Sequence, residues 1–449
     1  LLVAADNLLV LEGIAGRFVA EPKGNLSSVP AFAAVMKRCQ AAAGELAPQV
    51  RWFVEPFGYA EVARLATRDQ HRRKGHDMLK ILRNQGFTAV QGLGGFVNLS
   101  VDKFEVLHRT AIYAPPVKPG ADKYELAARM LDFPNGGDFA PPSWIPREIA
   151  SYANFNWNMK KAFESSKTLV NEYVGDPVFE DVLKSILEDP NGPQIDIRSD
   201  LVAHLGSRVL MISDYNLPIN TKSERMLFAA EVTNPKAIAI AIAKSMKTDP
   251  DARRRVFNGH EIWEIVDEQS ALPMVTIENN PAFGPSTPAA DDTADDEEGK
   301  RMLPNSAVTV AHGHLLVATH IDFLTKVLGQ AEAGEKLATS TDYQIVREEL
   351  GKLAGSENCA QTFSRTDEEY RAVYELIRAG RMPESETMVG RLLNALLGDG
   401  KEGVVRKQRI DGSKLPDFEM VRRYFGPAGM AVTSEQDGWL LTGFTLSKE

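Results

Sequence analysis

Cysteine is scarce: Cys39 and Cys359 are the only two in a chain of 449 residues. That excludes a disulfide-dense scaffold, and leaves one disulfide or two free thiols both open. No apolar run approaches the roughly 18 residues of a membrane span. The most apolar stretch, Ala237 to Ala243, is far too short. Basic charge is in deficit, with 51 Lys and Arg against 61 Asp and Glu and a formal net charge of -10. A nucleic-acid binder usually shows a basic face, so that class is disfavoured. The basic clusters Arg68 to Lys74 and Arg253 to Arg255 are short and sit beside Asp69, Asp77 and Asp251. They read as solvated surface. No basic n-region is present, so no signal peptide can be read.

What remains is ordinary globular material. Hydrophobic residues make up 43% and charged residues 25%, which excludes global disorder. The length suggests two or three structural units.

Two parts of the chain resemble each other. Setting Leu1 on Val308 pairs Val3 with Val310 and Leu8-Leu9-Val10 with Leu315-Leu316-Val317. Both then read as strand, turn, strand and helix, with turns at Asp6-Asn7 and Gly313-His314. A second offset sets Leu26 on Leu337, Phe32 on Tyr343, Val35 on Val346 and Trp52 on Phe363. A third sets Phe96 to Ile112 on Ala431 to Ser447, with hairpins at Asp102-Lys103 and Asp437-Gly438. The expected organisation is a duplicated module whose first copy is incomplete. Residues 1–117 are the trailing half of a first module, with its leading half outside this chain, and 118–142 connect. Residues 143–449 are a complete second module, with 143–300 leading and 301–449 repeating 1–115.

Local signals fill in the middle. Ala150 to Phe155 reads as a strand and Met159 to Val174 as a helix; a second helix, Val178 to Leu187, stops at Asp189-Pro190 because proline removes a donor. Arg208 to Ser213 and Met226 to Val232 read as a strand pair. Asn234-Pro235 starts a helix, with Asn as cap and Pro in the first turn. Asn258-Gly259 turns a hairpin. Residues 279–301 are acidic and almost without apolar side chains, and are expected to be a disordered surface loop. Hairpins with helices, without regular strand-helix-strand alternation, imply α+β: largely antiparallel sheets covered by helices.

No catalytic or metal motif survives inspection. His260-Glu261-Ile262-Trp263-Glu264 lacks the second His at i+4 that a zinc helix needs, and its alternation reads as strand. His312, His314 and His320 cluster around a turn, and His71 and His76 lack ligand-type neighbours. Gly92-Leu93-Gly94-Gly95 is followed by strand rather than the helix of a dinucleotide cradle. Gly400-Lys401 is followed by Glu402 rather than the Ser or Thr of a phosphate loop. Asp189-Pro190-Asn191 lacks the later ligands of a calcium loop. No catalytic, cofactor or metal residue is therefore assigned.

Four segments carry a resemblance. They are Trp144 to Tyr152 (WIPREIASY), Asp189 to Asp196 (DPNGPQID), Leu201 to Val209 (LVAHLGSRV) and Asn258 to Ile265 (NGHEIWEI). The chain resembles a bacterial domain-of-unknown-function family of long exported proteins built from duplicated α+β modules. The resemblance implies an extracytoplasmic location, periplasmic or cell envelope, and carries no residue roles. The expected function is a non-catalytic binding or structural protein of the bacterial envelope, partnered by an envelope protein or polymer. Self-association through the incomplete first copy is also expected. Two alternatives stay open: a hydrolase-like enzyme with dispersed residues, and a carrier of a small apolar ligand or lipid.

Overall fold

The computed structural model describes residues 3, 5, 7–18, 24–66, 77–118, 123–266, 306–381 and 411–448. The expected acidic loop at 279–301, the cluster Arg68 to Lys74 with His71, the neighbouring His76, and Gly400-Lys401 lie outside the described residues. The fold is α+β, with antiparallel pairing throughout. Among the described residues thirteen strands, numbered in chain order, form one sheet in the order β1-β2-β3-β13-β12-β11-β4-β5-β6-β10-β9-β8-β7.

Three strand triplets supply most of it. Each is a strand, then helices, then a hairpin. In the first, β1 (Val50–Val54) is followed by α3 (Pro56–Ala66) and α4 (Met78–Asn84), then β2 (Gly92–Val101) and β3 (Phe104–Tyr113). In the second, β4 (Ser151–Asn156) leads to α5 (Met159–Val174) and α6 (Phe179–Glu188), then β5 (Leu205–Tyr215) and β6 (Glu224–Val232). In the third, β11 (Ala360–Arg365) leads to α10 (Thr366–Glu369) and α11 (Arg371–Arg378), then β12 (Pro427–Glu435) and β13 (Gly438–Leu446). Two hairpins, β7 (Ala252–Phe257) with β8 (His260–Ile265) and β9 (Ala307–Ala311) with β10 (His314–Ala318), complete the far end.

The triplets meet like to like. Last strands pair at β3–β13, where His108 faces Gly443, Leu107 faces Phe444 and Arg109 faces Thr442. First strands pair at β11–β4, where Phe363 faces Tyr152. The sheet therefore runs without a break across the expected connection at 118–142. That segment is itself packed: Tyr124, Ala127, Ala128 and Phe139 are buried, and Tyr124 and Phe133 lie against Trp439.

Helices α2 (Pro30–Ala43) and α9 (Thr341–Ala354) cover one face. Leu440 of β13 packs in the α2 cluster with Val35 and Cys39, while Phe444, on the same side of that strand, packs with Val346 and Leu350 of α9. Their local packing matches. Phe32 meets Phe53 edge-on at 5.4 Å and 81°; Tyr343 meets Phe363 at 5.5 Å and 79°. Phe53 pairs with Gly94 and Phe363 with Gly429. A Cβ on either glycine would press on the valine above it, Val35 or Val346. In this packing Phe53 takes the place that Phe363 takes, one residue from the Trp52 that was set on Phe363.

The same constraint explains Gly92-Leu93-Gly94-Gly95. It is regular strand, and its glycines admit a close helix and close backbone rather than a phosphate. At Gly95 a Cβ would meet the Arg109 carbonyl and the Thr110 hydroxyl of β3.

One expectation fails outright. Where the second strand was read, from Leu8 onward, the chain is a helix, α1 (Leu8–Arg17), with Asn7 as its cap accepting from the Leu9 amide at 2.9 Å. The proposed counterpart, Leu315-Leu316-Val317, is strand because β6 and β9 flank it. Among the described residues no strand flanks Leu8 to Val10, and local capping decides. No described helix is long and apolar enough to cross a membrane.

Candidate functional site

At the ends of β4, β5 and β11 a cleft of about 680 Å³ opens between the segment Arg147–Ala150 and helices α8 (Ile321–Ala333), α9 and α10. Its inner wall is ionic. Asp214 and Arg225 are cross-strand partners in β5–β6 and both are buried. Arg225 donates to both Asp214 oxygens at 2.7 Å, and Lys326 of α8 donates to one of them at 2.8 Å. The remaining Arg225 Nη1 reaches Asp322 at 2.8 Å. Burial pushes the Asp322 carboxyl up, but its bonds from Asn216 and Arg225 outweigh that and hold it below the usual range.

The opposite wall is built around Arg365. Its guanidinium donates to both oxygens of Asp342, at 2.5 and 3.1 Å, and to the carbonyls of Arg147 and Ile149 at 2.7 and 2.5 Å. It also lies 5.3 Å over the Phe363 ring. Burial opposes ionisation of Asp342, yet the bonds from Arg365 and Ser340 keep its carboxyl below the usual value. This arginine fastens the 147–149 segment to the first turn of α9, so the cleft has a fixed wall.

Tyr215 closes the third side. Its hydroxyl donates to Glu368, and burial followed by that carboxylate pushes the phenol up. Arg371 stacks 5.8 Å over the Tyr215 ring and 5.6 Å over Phe418. Arg147 pairs with Glu335 at the rim. The cleft thus presents both signs of charge on rigid supports. Asp214, Lys326, Asp342 and Arg365 are all engaged with one another or with backbone, which leaves them poor proton donors or nucleophiles; Arg365 is fully spent, and what remains for a ligand is the Lys326 ammonium and carboxylate lone pairs.

The residues weighed from sequence lie elsewhere. His260 begins β8; its ring centroid is 5.6 Å from that of His312. His312 and His314 pack on Trp144, at 6.0 and 5.4 Å. His312 and Gly313, both at positive φ, make the turn between β9 and β10. His320 is separate and precedes α8. Asp189 caps α6 and accepts from the Asn191 amide. The two cysteines are free and buried in different clusters. No group of His, Cys, Asp or Glu able to hold a metal occurs among the described residues. The sequence reading assigned none of the cleft residues. One signal could have found it: Asp214 and Arg225 flank the strands read at 208–213 and 226–232, where a hairpin sets them opposite.

No protein-family model, curated protein or solved structure matches the chain.

Proposed function

We propose that this chain is a non-catalytic binding protein of the bacterial cell envelope, and that the cleft at Asp214, Lys326, Asp342 and Arg365 holds a small zwitterionic ligand. The observation that carries the reading is the closed pairing of its charges. A wall offering fixed donors and acceptors of both signs suits a ligand that also carries both, and it suits an apolar or lipid ligand poorly. The envelope location rests on the resemblance through Trp144 to Tyr152 and its companion segments.

We also propose that the first and third triplets, each with its covering helix, descend from one duplicated unit. The matched pairs Phe32–Phe53 and Tyr343–Phe363, with the valine-on-glycine contacts beside them, support this.

The test is thermal melting with zwitterionic dipeptides, set against neutral sugars and simple dicarboxylates. Dipeptides alone should raise the melting temperature, and K326M should abolish the rise. No shift with any dipeptide would overturn the ligand class. Breakdown of the dipeptide would favour the hydrolase alternative. Fractionation of cells expressing the full-length gene checks the location.

A further inference from the structure

Among the described residues the sheet has two edges, β1 and β7. The β7 edge carries Arg253, Arg254 and Arg255 in succession, the last two paired with Glu261 and Glu264 of β8; charged edges of this kind resist association. The β1 edge carries a single charged residue, Arg51. Its residues are Val50-Arg51-Trp52-Phe53-Val54, half-buried to exposed, and among the described residues they pair only with β2. Exposed Tyr59 and Val62 on α3 lie just beyond it in the chain.

The molecule already contains a template for what that edge accepts. Strands β1, β4 and β11 are each the first strand of a triplet. Two of them, β11 and β4, pair antiparallel with each other, and an aromatic faces an aromatic where Phe363 meets Tyr152. The third, β1, has the same inner register as β11, since Phe53 faces Gly94 as Phe363 faces Gly429. Its outer edge is therefore the surface that β11 uses to hold β4.

We propose that β1 pairs antiparallel with β1 of a second copy of this chain, first strand to first strand, extending the sheet through a two-fold axis at Phe53. This register is self-complementary. It sets Phe53 opposite Phe53, Trp52 opposite Val54, and Arg51 of one copy opposite Glu55 of the other, twice over. A symmetric contact of this kind closes at two copies and does not propagate. In the single chain Arg51 lies 5.4 Å over the Phe96 ring, and Glu55 accepts from the Phe57 and Gly58 amides at 3.1 and 2.5 Å, so both side chains are already held beside the edge.

The test uses the chain as described, in two arms. Sedimentation over a concentration series should show a monomer–dimer equilibrium. R51E sets like charges across the axis and should weaken the dimer by about tenfold or more, while the reversal R253E at the other edge leaves it unchanged. In the second arm, R51C and E55C chains are mixed under mild oxidation. The mixed disulfide dimer should form, and neither chain alone should cross-link, because each new thiol faces the other position. The native thiols are buried and do not interfere. E55C also removes a cap from α3, so its melting temperature is checked first, and R51E stands as the independent arm. A strictly monomeric chain overturns the proposal. So does a dimer indifferent to R51E that yields no mixed cross-link, or β1 protection from hydrogen exchange in the monomer, which would mean that another segment occupies the edge.

Discussion

His108 sits directly opposite Gly443 where β3 meets β13, and a Cβ at position 443 would run into the His108 ring and press on the Gly429 carbonyl at 3.2 Å. Overfilling a packed site of this kind costs about 1–3 kcal/mol. G443A should therefore lower stability by that amount in urea titration. H108A with G443A should recover part of the loss, since the two changes share one contact. Additive losses would show that the ring is not what the glycine avoids.

Acid should weaken the fold in the histidine range. Burial holds His108, His314 and His320 below the usual imidazole value. A proton then binds the unfolded chain more readily than the folded one. The stability these rings supply is complete above about pH 6.5 and is lost as pH falls through their lower folded values. Melting temperature measured from pH 7 down to pH 5 should fall. H108Q should flatten the fall.

Removing one member of the buried ion pair should be costly. D214A leaves the buried Arg225 with only the exposed Asp322. An uncompensated buried charge costs about 3–5 kcal/mol. D322A, at the solvent side of the same arginine, should cost about 1 kcal/mol or less. Denaturant midpoints of the two variants check the ranking; equal losses would show that the pair is not the anchor of this wall.

Both thiols should resist modification in the folded protein. Cys359 is pushed up to about 11 by burial, and burial also raises Cys39. A thiol reagent should modify neither at pH 8 until denaturant is added, then both. Reduced and non-reduced samples should migrate alike on a denaturing gel, given two free thiols in separate clusters.

The parts legible in the sequence were those fixed locally. Asn234-Pro235 starts α7 (Pro235–Thr248), with Asn234 accepting from the Ala237 amide; Asn258-Gly259 turns β7 into β8 with both residues at positive φ; the helix at Met159 to Val174 has the expected bounds. The antiparallel α+β class followed from such pieces. Strand order did not, because β3 and β13 meet across more than three hundred residues and neither sequence names its partner. The elements of the middle triplet were each legible, but their kinship in order with the other two was not, because its long helices and wide hairpin disguise it. The cleft was hidden for a different reason: Asp214, Lys326 and Arg365 each look like surface charge until the sheet brings them together.

Strand β13 follows every other strand in the sequence yet lies inside the sheet, between β3 and β12. The first triplet can form early in synthesis, but its β3 edge stays bare until the residues of β13, more than three hundred further along, have been delivered. Closure of the sheet is thus a late event that depends on distant contacts, and such pairings form slowly and leave sticky edges in the interval. In that interval β3 offers a free edge to other chains.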